Sequence, residues 1–173
     1  MSDLRKRITE DEGSLQKLMS YIPGFAGYRE RQIRRKADQM VREYLVGMLD
    51  DIREDMDEFL NRWAREEDLA KLDDLDRVRR RLGESRDKLR FTDYGYTGWF
   101  DAAKIQQSEL NSLYDYDLGL REQIVEVGGA IQSLAEASDE NVAERISEAL
   151  AQIDYLAEAI EKRGEVTARL IPE

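Results

Sequence analysis

Carboxylates are the residues of this chain best placed to do chemistry. Asp50, Asp51, Glu54, Asp55, Asp57 and Glu58 crowd six of them into nine residues, a density that could serve Mg²⁺ or Ca²⁺. Helical bundles that bind paired metals, however, project Glu-x-x-His pairs inward from facing helices. This chain has no His, and its Asp/Glu spacing matches no calcium loop. The six acids interleave with an apolar stripe, so they read as a solvated helix face. With no Cys, disulfides, zinc–thiolate sites, iron–sulfur clusters and thiol catalysis all drop out. No glycine-rich phosphate loop is present, and no Ser, Thr or Lys stands beside a recognisable base. The expectation is a protein without cofactor or metal and without catalytic residues; an enzyme with an all-carboxylate metal site stays as a second alternative.

One carboxylate is different in kind. Asp117 falls in the heptad column shared by Leu110, Ile124 and Ile131, where a lone buried charge would cost several kcal/mol, so it demands a partner. Counting helical rise back from the turns places Arg86 at the same level, which makes Asp117–Arg86 the expected buried polar pair.

Aromatic residues are concentrated as well. Eight of the fourteen lie in two glycine-bearing stretches: Tyr21, Phe25 and Tyr28 in YIPGFAGY, and Phe91, Tyr94, Tyr96, Trp99 and Phe100 in FTDYGYTGWF. Such rings either seal the open end of a helical bundle or form an interaction surface, since Trp and Tyr are enriched at binding hot spots.

The elements that must position these groups are helices. Ala37, Met40, Val41, Tyr44, Leu45, Met48, Leu49, Ile52, Met56, Phe59, Leu60 and Trp63 recur at three- and four-residue steps, which predicts one long helix over about 28–66. A second stripe from Leu69 to Leu89 predicts a helix over 68–90. Asp101 reads as the N-cap of a third over 101–137, and Ser138 as that of a fourth over 138–171. The second helix is the shortest, so the FTDYGYTGWF loop must make up the missing length and reach the pole where YIPGFAGY enters.

Before these, residues 1–27 form an amphipathic arm and aromatic loop, with Leu4, Ile8, Leu15, Leu18, Met19 and Ile22 on one face. The fold expected is therefore all-α: an elongated up-down-up-down four-helix bundle over 28–173 with an N-terminal amphipathic arm.

Charge divides the chain unevenly. The net charge is −11, yet residues 1–36 hold nine Lys/Arg against five Asp/Glu, a basic arm that includes Arg5, Lys6, Arg7, Arg29, Arg31, Arg34, Arg35 and Lys36. The acidic bulk makes nucleic acid an unlikely partner, because phosphate contact needs a basic face. The start of the chain has no apolar signal core, and no run approaches the roughly 20 apolar residues that span a bilayer, so the cytoplasm is the expected location. The functional expectation is a non-enzymatic interaction or scaffold protein whose aromatic pole meets a protein partner or a second copy. A peripheral membrane protein that uses the basic arm is the alternative. Since no metal ligands of the usual kinds are available, EDTA is expected to leave the thermal unfolding midpoint unchanged; a drop of several degrees in a melting scan would overturn this.

Overall fold

A computed structural model describes residues 13–28, 34–64, 69–91 and 105–169. Among these the protein is all-α, with no strand. A short helix α1 covers residues 13–21. Four long ones follow: α2 (Arg34–Trp63), α3 (Leu69–Phe91), α4 (Gln107–Ala135) and α5 (Val142–Arg169). Each buries the stripe its sequence predicts. Val41, Leu45, Leu49, Ile52, Met56 and Phe59 of α2 meet Leu75, Val78, Leu82 and Leu89 of α3, together with the heptad residues of α4 and α5, in one core.

The ends of the helices are set locally. α4 starts at Gln107 because the Gln106 N–H donates to Glu109 Oε2 at 2.6 Å, a side-chain acceptor for an otherwise orphaned donor. Asp101, the cap expected from sequence, lies outside the described residues. Ser138 does not cap α5 directly. Its N–H donates to Asn141 Oδ1 at 2.8 Å, its carbonyl accepts from Val142 N–H at 3.0 Å, and the helix begins at Val142. Likewise α2 begins at Arg34, and Tyr28 is non-helical.

Helix neighbours follow from contacts between side chains. α2 runs antiparallel to α3, with Arg86 bonded to Asp50 and Arg79 near Asp57. α4 runs antiparallel to α5, to which a short turn joins it, and the two meet where Tyr116 bonds the Ala159 carbonyl and Asp117 bonds Arg163. The pairs α2–α4 and α3–α5 are parallel: Tyr44 meets Arg121 and Ile52 meets Gly128, while Lys71, Arg81 and Lys88 meet Asp139, Asp154 and Glu161. The ring order is α2–α3–α5–α4, so α3 and α4 stand at diagonal corners. Gly128 marks a close approach of α2 and α4, since a Cβ there would lie 3.4 Å from Ile52 Cδ1. Gly47 and Gly119 do not; a Cβ at either would meet nothing within 4 Å.

The segment ahead of α2 packs on the α2–α4 side of the bundle. Leu15, Leu18, Ile22 and Phe25 join the core, and the Arg121 guanidinium sits 3.6 Å over the Tyr21 ring, a cation–π contact. The chain then turns back through Gly24 (φ 77°) and Gly27 (φ 85°), a left-handed conformation that costs a side-chain-bearing residue about 1–2 kcal/mol. At Gly27 space is also lacking, because a Cβ would fall 2.7 Å from Tyr114 Oη and 3.0 Å from Leu15 Cδ1. Gly27→Ala is accordingly expected to destabilise the protein by about 2–5 kcal/mol, strain and overpacking combined. Gly47→Ala, in open space within a helix, should stabilise it by about 0.5–1 kcal/mol. Urea unfolding of the two variants checks both signs.

Candidate functional site

Asp117 is buried completely, as its heptad position requires, and its partner is Arg163 of α5. Arg163 Nε donates to Asp117 Oδ1 at 2.7 Å and Nη2 donates to Asp38 Oδ1 at 3.0 Å, across the centre of the bundle. Asp38 Oδ2 accepts from Arg42 Nε at 2.8 Å, and Arg42 Nη1 continues to the Arg90 carbonyl at 3.2 Å. From the segment ahead of α2, Tyr28 Oη donates to Asp117 Oδ2 at 2.7 Å. The Tyr28 backbone is fixed too: its N–H donates to Tyr114 Oη at 2.8 Å and its carbonyl accepts from Arg34 Nε at 3.1 Å. Asp38, Asp117, Arg42 and Arg163 balance two negative charges with two positive ones. No member is more than 8% exposed.

Three rings close over the network. Tyr28 stacks on Tyr114 with centroids 5.4 Å apart, and Phe25 meets both edge-on at 5.7 and 6.5 Å. Burying each ring contributes roughly 1.5–3 kcal/mol. For this half of the aromatic concentration, sealing is what the packing shows: Phe25 and Tyr28 are buried, and Tyr21 is partly exposed on Arg121. Phe91, at the end of α3, is 59% exposed. Tyr94, Tyr96, Trp99 and Phe100 lie outside the described residues, as do Arg5, Lys6, Arg7, Arg29 and Arg31.

Two expectations are corrected. Arg86 does not reach Asp117; it bonds Asp50 at 2.8 Å and Asp87 at 2.6 Å. It stands level with Asp50, whereas the Tyr44–Arg121 and Ile52–Gly128 contacts set Asp117 roughly two turns or more nearer the start of α2. Counting helical rise from the turns misplaces the levels, since the helix ends are not flush, and the residue that meets Asp117 is Arg163 of α5. Arg34 is not part of a basic surface but is buried against the Tyr28 carbonyl, while Arg35 and Lys36 are exposed.

Asp38, Arg42 and Arg163 carry the same sequence signal as Asp117. Arg163 continues the α5 series Ile153, Leu156, Ile160 and ends in Thr167, all buried, at steps of three and four. Asp38 and Arg42 extend the α2 series Leu45, Leu49, Ile52 and Met56 in the same way. A charged residue in an apolar column is the rule that would have found all four.

Burial disfavours the Arg163 charge, but Asp117, Asp38 and Tyr28 together outweigh it and hold its pKa well above the usual arginine value. Arg163 therefore stays charged. Burial, reinforced by the Asp117 and Asp38 charges against the opposing pull of Arg163, pushes the Tyr28 phenol well above its ordinary pKa of about 10. Chemically the network is closed: each acid is held by guanidinium or phenol donors, and the tyrosine keeps its proton. Burial raises the Asp117 pKa above the ordinary carboxylate value, against the downward pull of the Arg163 guanidinium and the Tyr28 hydroxyl. Among the described residues no cluster of three or more His, Cys, Asp or Glu is arranged to hold a metal ion, and no helix is long and apolar enough to cross a membrane. Arg42 also lines an open cleft of about 600 Å³ with Gln39, Glu43, Gly47, Asp50 and Arg90, in which charges of both signs alternate. No known protein family, curated protein or solved structure matches the chain.

Removing one partner of a buried pair leaves its counter-charge uncompensated at about 3–5 kcal/mol. Arg163→Met should cost that much. The double change Asp117→Leu with Arg163→Met should cost less than the two single losses combined, as a double-mutant cycle in denaturant would measure. The phenol gives a pH signature. Above pH about 10 an unfolded tyrosine loses its proton while folded Tyr28 keeps it, so stability falls as pH rises. Tyr28→Phe should remove about one proton's worth of that slope, measured by comparing unfolding free energies between pH about 9 and about 11.

Proposed function

We propose that this is a non-enzymatic interaction or scaffold protein: an elongated up-down-up-down four-helix bundle with its N-terminal amphipathic arm folded onto it, working at a protein partner or a second copy, in the cytoplasm. The observation that carries this reading is the self-sufficiency of the buried charges. Asp38, Asp117, Arg42 and Arg163 are spent on one another and on main-chain and phenol groups, which makes them a device for fixing helix register rather than a reaction centre.

The contact surface in this reading is the exposed part of the aromatic pole. Among its described residues Phe91 is the most exposed large apolar one, and the neighbouring Arg90 lines the α2–α3 cleft. A membrane role for the arm has less support, since Leu15, Leu18 and Ile22, three residues of the apolar face it would insert, are already in the core, although Met19 is exposed. Enzymatic use of carboxylates has less support for the same reason the buried network is closed.

A photo-cross-linking residue placed at Phe91 should capture a defined partner or a second copy in the native cell. One placed at exposed Glu148 on α5 should not. Equal labelling from both positions, or none from Phe91, would refute the assignment of this surface.

A further inference from the structure

The four charges of the buried network all stand on the long helices: Asp38 and Arg42 on α2, Asp117 on α4 and Arg163 on α5. Residues 13–28, which lie over them, carry one charge, Lys17, and it is exposed. The segment therefore adds no ion to the balance. It meets the bundle through the Tyr28 phenol on Asp117, the Tyr28 N–H on the Tyr114 hydroxyl, the Tyr28 carbonyl under Arg34 and the Tyr21 ring under Arg121. Without these links Asp117 still accepts from Arg163 Nε at 2.7 Å, and Asp38 from Arg163 Nη2 and Arg42 Nε. The groups that lose a partner, Asp117 Oδ2 and the Tyr114 hydroxyl among them, then face water, so no buried polar atom is orphaned.

The segment is also held together by contacts of its own. Leu15, Leu18 and Ile22 continue one face of α1 at three- and four-residue steps. The Ile22 N–H donates to the Leu18 carbonyl at 2.9 Å and the Phe25 N–H to the Ile22 carbonyl at 3.1 Å. After the reversal Gly27 comes back against Leu15, where a Cβ would fall 3.0 Å from Leu15 Cδ1, and Phe25 meets the Tyr28 ring edge-on. Its outer side, Gln16, Lys17, Met19, Ser20 and Tyr21, is already in water.

We propose that residues 13–28 are a strap that opens as a unit and closes again while the four long helices stay packed. Folded proteins open in cooperative pieces of this kind, and here the piece can leave without stranding a charge in the core. Burial of Leu15, Leu18, Ile22, Phe25 and Tyr28 keeps the closed form dominant. Opening bares a stripe of α4, namely Tyr114, Asp117 and Arg121 at three- and four-residue steps. It also bares Met40 of α2, whose Cε lies 3.7 Å from where a Gly24 Cβ would stand. Asp117 is thus shielded from solvent by a cover, and not by the long helices alone. Opening needs no partner, so it stands or falls independently of the Phe91 surface.

Native-state hydrogen exchange on the full chain tests this. The amides of Ile22, Phe25 and Tyr28, each hydrogen-bonded in the closed form, should share one opening constant, about a hundredfold or more above that of the slowest amides of α4 and α5. Ile146 is buried in α5, about 25 Å along the helix from Arg163. Ile146→Val weakens the bundle equally with the strap open or closed, so it should speed the slowest amides about fivefold and leave Ile22, Phe25 and Tyr28 unchanged. Tyr28→Phe, which removes the bond to Asp117, should raise the strap's opening constant about tenfold. Strap amides that exchange no faster than the slowest ones, or that speed up with Ile146→Val, would show that the segment unfolds with the bundle and overturn the proposal. Three unrelated opening constants, or an opening indifferent to Tyr28→Phe, would overturn it as well.

Discussion

Arg163 carries a full charge into the middle of a helical bundle, and the surrounding architecture is arranged so that this charge is answered. Asp117 comes from α4, Asp38 from across the diagonal on α2, and the Tyr28 phenol from the segment ahead of α2; Arg42 then extends the chain of bonds to the end of α3. Every element touched by this network is held at one axial level. Against a well-packed apolar alternative such a cluster gains little stability. What it supplies is intolerance of error: a slip of any helix by one turn would strand a buried charge, whereas leucines would accept the slip at modest cost.

The aromatic segment ahead of α2 belongs to the same device. A phenol can satisfy Asp117 only if the chain reverses sharply and brings Tyr28 against Tyr114, and that reversal is what Gly24 and Gly27 permit. Rings, glycines and charges are therefore parts of one arrangement, although they are far apart in the sequence. Phe25 covers it, and Arg34 fastens the Tyr28 carbonyl.

The all-α class and the apolar faces of the long helices were legible because each follows from residues within a few turns. Asp117 was legible for the same reason, as an acid in a column of Leu and Ile. Its partner was not. Choosing between Arg86 and Arg163 requires knowing which helices are neighbours around the ring and how far each is shifted along it, properties of packing that no local pattern carries: Arg86 stands level with Asp50 rather than with Asp117. The stagger of the helix ends added a second error, since loops fix only where a helix may begin and side-chain interdigitation decides how far it slides. Arg34 misled through its company: set among Arg29, Arg31, Arg35 and Lys36 it reads as surface, but one member of a basic run can turn inward when a main-chain carbonyl awaits it.

The bond between Arg163 and the Tyr28 hydroxyl joins residues 135 positions apart. A ribosome adding about 5–20 residues per second takes roughly 7–27 s to cover that distance. During that interval Asp38 and then Asp117 are added to the chain after Tyr28, while the cation that gathers them is still to come. Until then Asp38 has Arg42, one turn along the same helix, whereas Asp117 lacks its guanidinium partner and is stable only in water. Completion of α5 is thus the event that lets the core close, and a chain interrupted before it would expose Asp117 rather than bury it.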